Sequence, residues 1–393
     1  MSVRELTLDQ LGEVARGRSR HRPRDAAHLY GGPFPFIQTG DVKRANLYLT
    51  EFEQTYSEAG LAQSKLWPAG TLCITIAANI ADTAILGIDA CFPDSVIGFT
   101  ADAEKADTRF VKYLFDGVLK FKYRSFTQGA AQDNLSQEKL LSIKFPVPEH
   151  KIQRRIADIL SAYDDLIENN RRRIALLEEA ARMLYREWFV HFRFPGHEHV
   201  KIIDGLPEGW ELFALSDLAD FVNGYPFKPS ELGEDGLPIV KIPELKSGVT
   251  DKTPRNSGEM IPERYHLNDG DLIFSWSGTL AVNIWASGPA LLNQHLFLVL
   301  PTGRVSSAFM LFALREALTA FDNHTVGATM KHIRRSALDR VLVALPDRTK
   351  MSIVEDSLQL MYRQLIVLNQ QSQKLAQARD LLLPRLMTGE IAV

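Results

Sequence analysis

The sequence predicts an α+β protein: two tandem, mixed α/β globular domains, separated and joined by two long helices that form an antiparallel coiled coil. Three observations predict this. The stretch TQGAAQDNLSQEKL, Thr127 to Leu140, is echoed by TVGATMKHIRRSAL, Thr325 to Leu338, at an offset of 198 residues. The echo persists downstream, where FPVPEHK becomes VALPDRTK and Pro148 stands against Pro346. Each of these prolines then opens a long segment with no further helix breaker until Pro195 and Pro384, and both segments carry apolar residues at alternating spacings of four and three. A repeat of about 200 residues marks a duplicated domain, since a solenoid would repeat every 20–50 or so.

Taken in order, residues 1–148 form the first globular domain and 149–194 the first long helix. Residues 195–346 hold a linker and the second domain, and 347–393 the second helix with its tail. Upstream of the helices the echo is looser but still present. ELTLDQLGEVARG resembles ELFALSDLADFVNG, GPFPFIQTGDV resembles GLPIVKIPEL, and LWPAGTLCIT resembles HLNDGDLIFS. The most apolar run, LCITIAANIADTAILGI, is interrupted by Asn79 and Asp82, and its β-branched residues predict buried strand rather than a membrane span.

The helices are the clearest elements. In the first, Ile156, Leu160, Tyr163, Ile167, Asn170, Ile174, Leu177, Ala181, Leu184 and Trp188 mark a heptad seam. At the same offset the second has Val354, Leu358, Met361, Leu365, Leu368, Ser372, Leu375, Arg379, Leu382 and Leu386. Run antiparallel, the seam sets Asn170 opposite Ser372 and Tyr163 opposite Arg379. Run parallel, it sets Asn170 against Leu368 and Ser372 against Ile174. Buried polar groups need partners, so the antiparallel pairing is preferred. About 33 helical residues give a rod of about 50 Å at 1.5 Å per residue. Two groove-reading domains held that way would touch sites about 15 base pairs apart.

Composition bounds the rest. The chain has 393 residues, 45% hydrophobic and 24% charged, which is ordinary for a soluble globular protein with two or three cores. The N-terminus lacks the apolar core of a signal peptide. Two cysteines, Cys73 and Cys91, make neither a disulfide framework nor a metal cage and fit a reducing cytoplasm. The net charge of −3 argues at first against nucleic acid, yet ARGRSRHRPR places Arg16, Arg18, Arg20, Arg22 and Arg24 in one loop with His21. A solvated loop is the bland alternative; arginine forks also suit phosphate oxygens and guanine edges.

With these features the chain resembles the specificity subunit of a type I restriction–modification system. The resemblance rests on two variable domains alternating with two long helices, on the Thr-x-Gly-Ala and proline landmarks, and on the ending LLLPRLMTGEIAV, and it covers essentially the whole chain. The family's Pro-x-x-Glu-Gln before each helix is altered here: VPEHKIQRRI keeps the glutamate and displaces the glutamine, and LPDRTKMSIV keeps neither. The resemblance implies that each domain is a target-recognition domain reading one half of a bipartite DNA sequence. It implies that the helices set the spacing and dock two methyltransferase subunits, which methylate adenine with S-adenosylmethionine. It also implies that a motor–nuclease subunit, when it joins, cleaves unmethylated DNA.

On that view this chain is non-catalytic and carries no cofactor or metal of its own. The residues agree, since there is no Asn/Asp-Pro-Pro-aromatic motif, no Gly-x-Gly-x-x-Gly and no phosphate loop. Pro93–Asp94 with Glu149–Lys151 mimics a nuclease motif, but its halves are 55 residues apart (149 minus 94), so coincidence is the better reading. His197 and His199 read as solvated linker residues. Base reading needs forked donors or donor–acceptor pairs. In the first domain the candidates are the arginine loop, Gln38, Lys43, Arg44, Asn46, Gln128 and Gln132. In the second they are Tyr225, Lys228, Lys241, Lys246, Ser275, Ser277, Lys331 and His332, with Trp276 assigned to core packing. The rival class is a coiled-coil scaffold with no DNA role, favoured by the near-neutral charge.

Overall fold

The computed structural model describes residues 3–77, 80–119, 136–322, 325–326, 332–333 and 335–393. The chain divides into two compact units, Met1–Glu168 with Lys374–Val393, and Asn169–Gln373. Each long helix is shared between the units, which therefore cut across the four segments read from sequence.

In the first unit a five-stranded sheet runs in the order Gly12–Arg16, Val96–Ala101, Leu72–Thr75, Thr83–Leu86 and Tyr48–Leu49. Its pairs are antiparallel except the last. A four-stranded sheet orders Gln54–Tyr56, Tyr30–Phe36, Ala90–Cys91 and Leu66–Trp67, with its central pair parallel. A ribbon pairs Val3–Leu6 with Phe145–Pro148 and so brings the chain start to the root of the first long helix.

The second unit repeats this plan. One sheet orders Ala219–Asn223, Leu296–Pro301, Leu272–Ser275 and Ala281–Ile284. The other orders Arg255–Asn256, Leu237–Val240, Ala290–Leu292 and His266–Leu267, again with a parallel central pair. The ribbon is Glu211–Ala214 with Leu342–Leu345. The duplication read from scattered echoes is thus a duplication of topology, save for the edge strand Tyr48–Leu49, which the second sheet lacks.

Side-chain alternation explains why these short strands hold. Successive strand residues point to opposite faces. Leu72 and Ile74 face a core with Phe110, Val111 and Leu114, while Cys73 faces Trp67 and Phe92. In the second unit Leu272 and Phe274 join one core and Ile273 another. With both faces covered, LCIT is continuously buried, as the apolar run predicted, and so is LIFS in the second unit. Burial pushes both the Cys73 and Cys91 thiols up.

The long helices span His150–Phe189 and Arg348–Met387, 40 residues each. Pro384 lies inside the second helix instead of ending it. Every predicted seam position is buried or half-buried. Within the first unit Ile156 and Leu160, early in one helix, share a core with Leu383, Leu386 and Met387, late in the other. Within the second, Ala181 and Trp188, late in the first helix, share a core with Val354 and Leu358, early in the second. The pair is antiparallel.

The polar partners differ from those expected. Arg379 pairs with Asp164 rather than with Tyr163, one residue away. Asp164 is buried and also accepts the Tyr113 hydroxyl at 2.6 Å, so one carboxylate ties both helices to the first globular domain. Burial, with this carboxylate beside it, raises the Tyr113 phenol above its ordinary value. Ser372 donates to the Leu368 carbonyl of its own helix at 2.8 Å, satisfying its hydroxyl locally. The displaced glutamine, Gln153, is buried. Its amide donates to the Pro148 and Lys105 carbonyls at 3.0 Å and accepts the Asp107 amide at 3.3 Å, anchoring the helix root.

Candidate nucleic-acid interface

In each unit the chain leaves an edge strand, Gly12–Arg16 or Ala219–Asn223, at a glycine. The Gly17 amide donates to the Val96 carbonyl and Arg18 to Phe92; Gly224 donates to Leu296 and Tyr225 to Leu292. A Cβ on Gly17 would stand 2.4 Å from the Phe92 and Pro93 carbonyl oxygens, and one on Gly224 2.3 Å from that of Asn293. Only glycine lets the backbones approach this closely. The exit is therefore the same in both units, and the residues after it differ.

The first loop is cationic. All five arginines are exposed, but three are committed to local bonds. Arg16 Nε donates to the Asp94 carbonyl at 2.9 Å, and Arg24 pairs with the Asp94 carboxylate at 2.9 Å. Arg22 donates to the Ser19 and His21 carbonyls at 2.8 Å. Tyr30 donates to the Arg24 carbonyl at 2.8 Å, and burial raises its phenol. Asp94, flagged in sequence only as a false nuclease motif, is thus the acid that anchors the loop.

Beside it, Gln38 is exposed at the start of the short helix Thr39–Arg44 and donates to Gln54 at 2.6 Å. Arg44 is exposed but paired with Asp41 and, at 2.9 Å, with Glu53. Lys43 is exposed; Asn46 is half-buried, with an amide nitrogen that has no partner among the described residues. Gln128 and Gln132 lie outside the described residues.

The second loop is aromatic. Tyr225 packs with Phe227 and Tyr265, and its hydroxyl donates to Glu231 at 3.1 Å, which raises its phenol. Lys228 and Lys246 are exposed, Lys241 is half-buried. Two predictions are corrected here: Ser275 and Ser277 are 0% and 2% exposed, with the Ser275 hydroxyl donating to the Ser277 carbonyl at 3.2 Å. Both sit in the interior and not on the surface where a base-reading side chain was expected. Trp276 packs on Phe297, as core packing predicts. Lys331 lies outside the described residues, and of His332 only the backbone, in a short strand, is described. His197 and His199 are exposed beside Glu198.

No group of three or more His, Cys, Asp or Glu among the described residues could hold a metal ion. No described helix is long and apolar enough to cross a membrane.

Comparison with known proteins fits this geometry. The family model described as the type I restriction modification DNA specificity domain matches twice, over residues 4–179 and 207–375. The chain is 25% identical to the type I restriction enzyme MjaIX specificity subunit of Methanocaldococcus jannaschii, over 98% of this chain and 93% of that protein. It is 22% identical to the HindI specificity subunit of Haemophilus influenzae, over 97% and 98%. In structure it resembles the type I restriction-modification system S subunit from M. genitalium, with a TM-score of 0.60 over 98% of this chain and 96% of that one, at 15% identity. With two matched copies of the domain, each on one of the two repeated folds, the chain belongs to the type I restriction modification DNA specificity family.

Proposed function

We propose that this chain is the non-catalytic specificity subunit of a type I restriction–modification complex, in which each unit reads one half of a bipartite DNA target through the loop that follows Gly17 or Gly224. The observation that carries this reading is the shared exit: the same backbone bonds launch two loops of different chemistry, which suits two half-sites of different sequence. In this reading the helices set the gap between half-sites, and adenine methylation with S-adenosylmethionine belongs to two docked methyltransferase subunits, with a motor–nuclease subunit as a further partner.

A docking surface supports the partner reading. In the second unit Leu176 and Met183 stand seven residues apart on the first helix at 70% and 56% exposure, and Val190, just past its end, is 39% exposed. Ile353, Leu360 and Val367 do so on the second helix. A second apolar stripe, left over once the seam is paired, is what a helix presents to a partner.

The test is the methylation pattern of DNA from a host making this chain with and without its methyltransferase partner. Modified adenines in one split motif, needing both chains, are expected. Matched seven-residue insertions in both helices should widen its gap and leave both halves unchanged. An active partner that leaves no chain-dependent mark would return the chain to the scaffold class.

A further inference from the structure

We infer that Arg18 and Arg20 are the side chains with which the first unit reads guanine in its half-site, while Arg16, Arg22 and Arg24 build the loop that presents them; this rests on the DNA-reading function proposed above. Arg16 ends the edge strand and four more arginines follow in the loop; the Asp94 carboxylate is taken by Arg24 and its backbone carbonyl by Arg16. Among the described residues the side chains of Arg18 and Arg20 make no hydrogen bond or ion pair. Contact with DNA therefore breaks no existing bond for these two, whereas for Arg24 it first costs the pair with Asp94.

Their direction is set by the backbone. Over residues 17–20 burial alternates, with Gly17 and Ser19 buried and Arg18 and Arg20 exposed. With Gly17 and Ser19 turned to the interior, Arg18 and Arg20 both stand on the solvent side of this stretch. The backbone that carries them is held from several sides. The Arg18 amide donates to the Phe92 carbonyl at 3.0 Å, the Arg18 carbonyl accepts the Ser64 hydroxyl at 2.8 Å, and the His21 amide donates to Gln63 at 3.0 Å. A fixed backbone with free guanidinium forks suits bidentate reading of guanine O6 and N7, where geometry must be held before contact.

The experiment produces the full chain with its methyltransferase partner, reads adenine methylation by single-molecule sequencing, and measures binding to a duplex carrying the parent motif at several salt concentrations. Arg18→Ala and Arg20→Ala are expected to relax guanine at a position of one half-motif and weaken binding about tenfold or more. The other half-motif and the melting temperature should stay as in the parent. Arg22→Ala is expected instead to lower the melting temperature. A double Arg18→Ala/Arg20→Ala chain that keeps the parent motif and affinity overturns the inference. So does one that keeps the motif and loses only salt dependence, since that assigns the pair to phosphates. If the parent complex marks no split motif at all, it is the function proposed above that fails, before any variant is compared.

Discussion

The two units carry one topology with two chemistries. At the loop exit the first unit places arginines around Asp94, and the second places Tyr225, Phe227 and Tyr265 with Glu231 as hydroxyl acceptor. The contrast recurs where the helices cross. The repeat offset relates Asp164 to Tyr362 and Arg379 to Ala181. In the first unit those positions form an ion pair, and in the second they are a tyrosine and an alanine in one apolar core. Tyr362 still sends its hydroxyl to the Gly270 carbonyl at 2.8 Å. Duplication has kept the backbone bonds, which depend little on side chains, and let the groups hung on them diverge.

The largest expected effect tests the helix crossing. Arg379→Ala leaves the Asp164 carboxylate buried with the Tyr113 hydroxyl alone, and unpaired buried charges cost about 3–5 kcal/mol. Ala181→Ser, at the matching place in the second unit, should cost about 1 kcal/mol or less. Chemical denaturation measures both. Equal losses would mean that the ion pair is no more demanding than its apolar counterpart.

Next come the exits. Gly17→Ala and Gly224→Ala each drive a methyl group into backbone carbonyls that cannot rotate away, and each should cost about 3 kcal/mol. That lowers the melting temperature of the affected unit by roughly 6–12 °C. A large loss at one glycine and none at the other would break the equivalence of the two exits.

Smaller effects are expected in binding. Lys228 is exposed in the second loop, so Lys228→Ala should weaken binding to all sequences alike. The slope of log affinity against log salt should fall by about one. A changed motif would instead make Lys228 a base reader, closer in role to Arg18 than its chemistry suggests.

The smallest concerns a turn beside the second helix. Asp271 takes the place that Thr71 has in the first unit, and burial raises its carboxyl above the ordinary value. A carboxyl raised in the folded state favours folding below its unfolded pKa and loses that contribution as pH rises through the folded one. Asp271→Asn removes the charge but keeps an acceptor for the Asn268 amide. The melting temperature of the variant, relative to the parent, should therefore be higher at pH 7 than at pH 3. The opposite trend would show that the charged form is the favoured one.

Much of this was legible in the residues alone. The repeat, the two helices and their seam, and the cationic loop all follow from periodicity and spacing, which are local properties of the chain. The seam positions did face inward, because a heptad fixes which side of a helix is apolar whatever it meets. The displaced glutamine at 153 was visible too, as a departure from a pattern, though not its role as an anchor.

The sequence by itself therefore determined the plan: a duplicated domain, two helices with an apolar seam, and a cationic loop in the first copy. Only the tertiary structure decided which groups are spent and which are free. Arg24 is bound to an acid 70 residues away, and Asp164 meets an arginine 215 residues on. Ser275 and Ser277 look like surface residues and lie inside. The reason is the range of the forces. Helix and strand periods arise between neighbours in the chain, whereas burial and charge pairing depend on neighbours in space, and those exist only once the chain has folded.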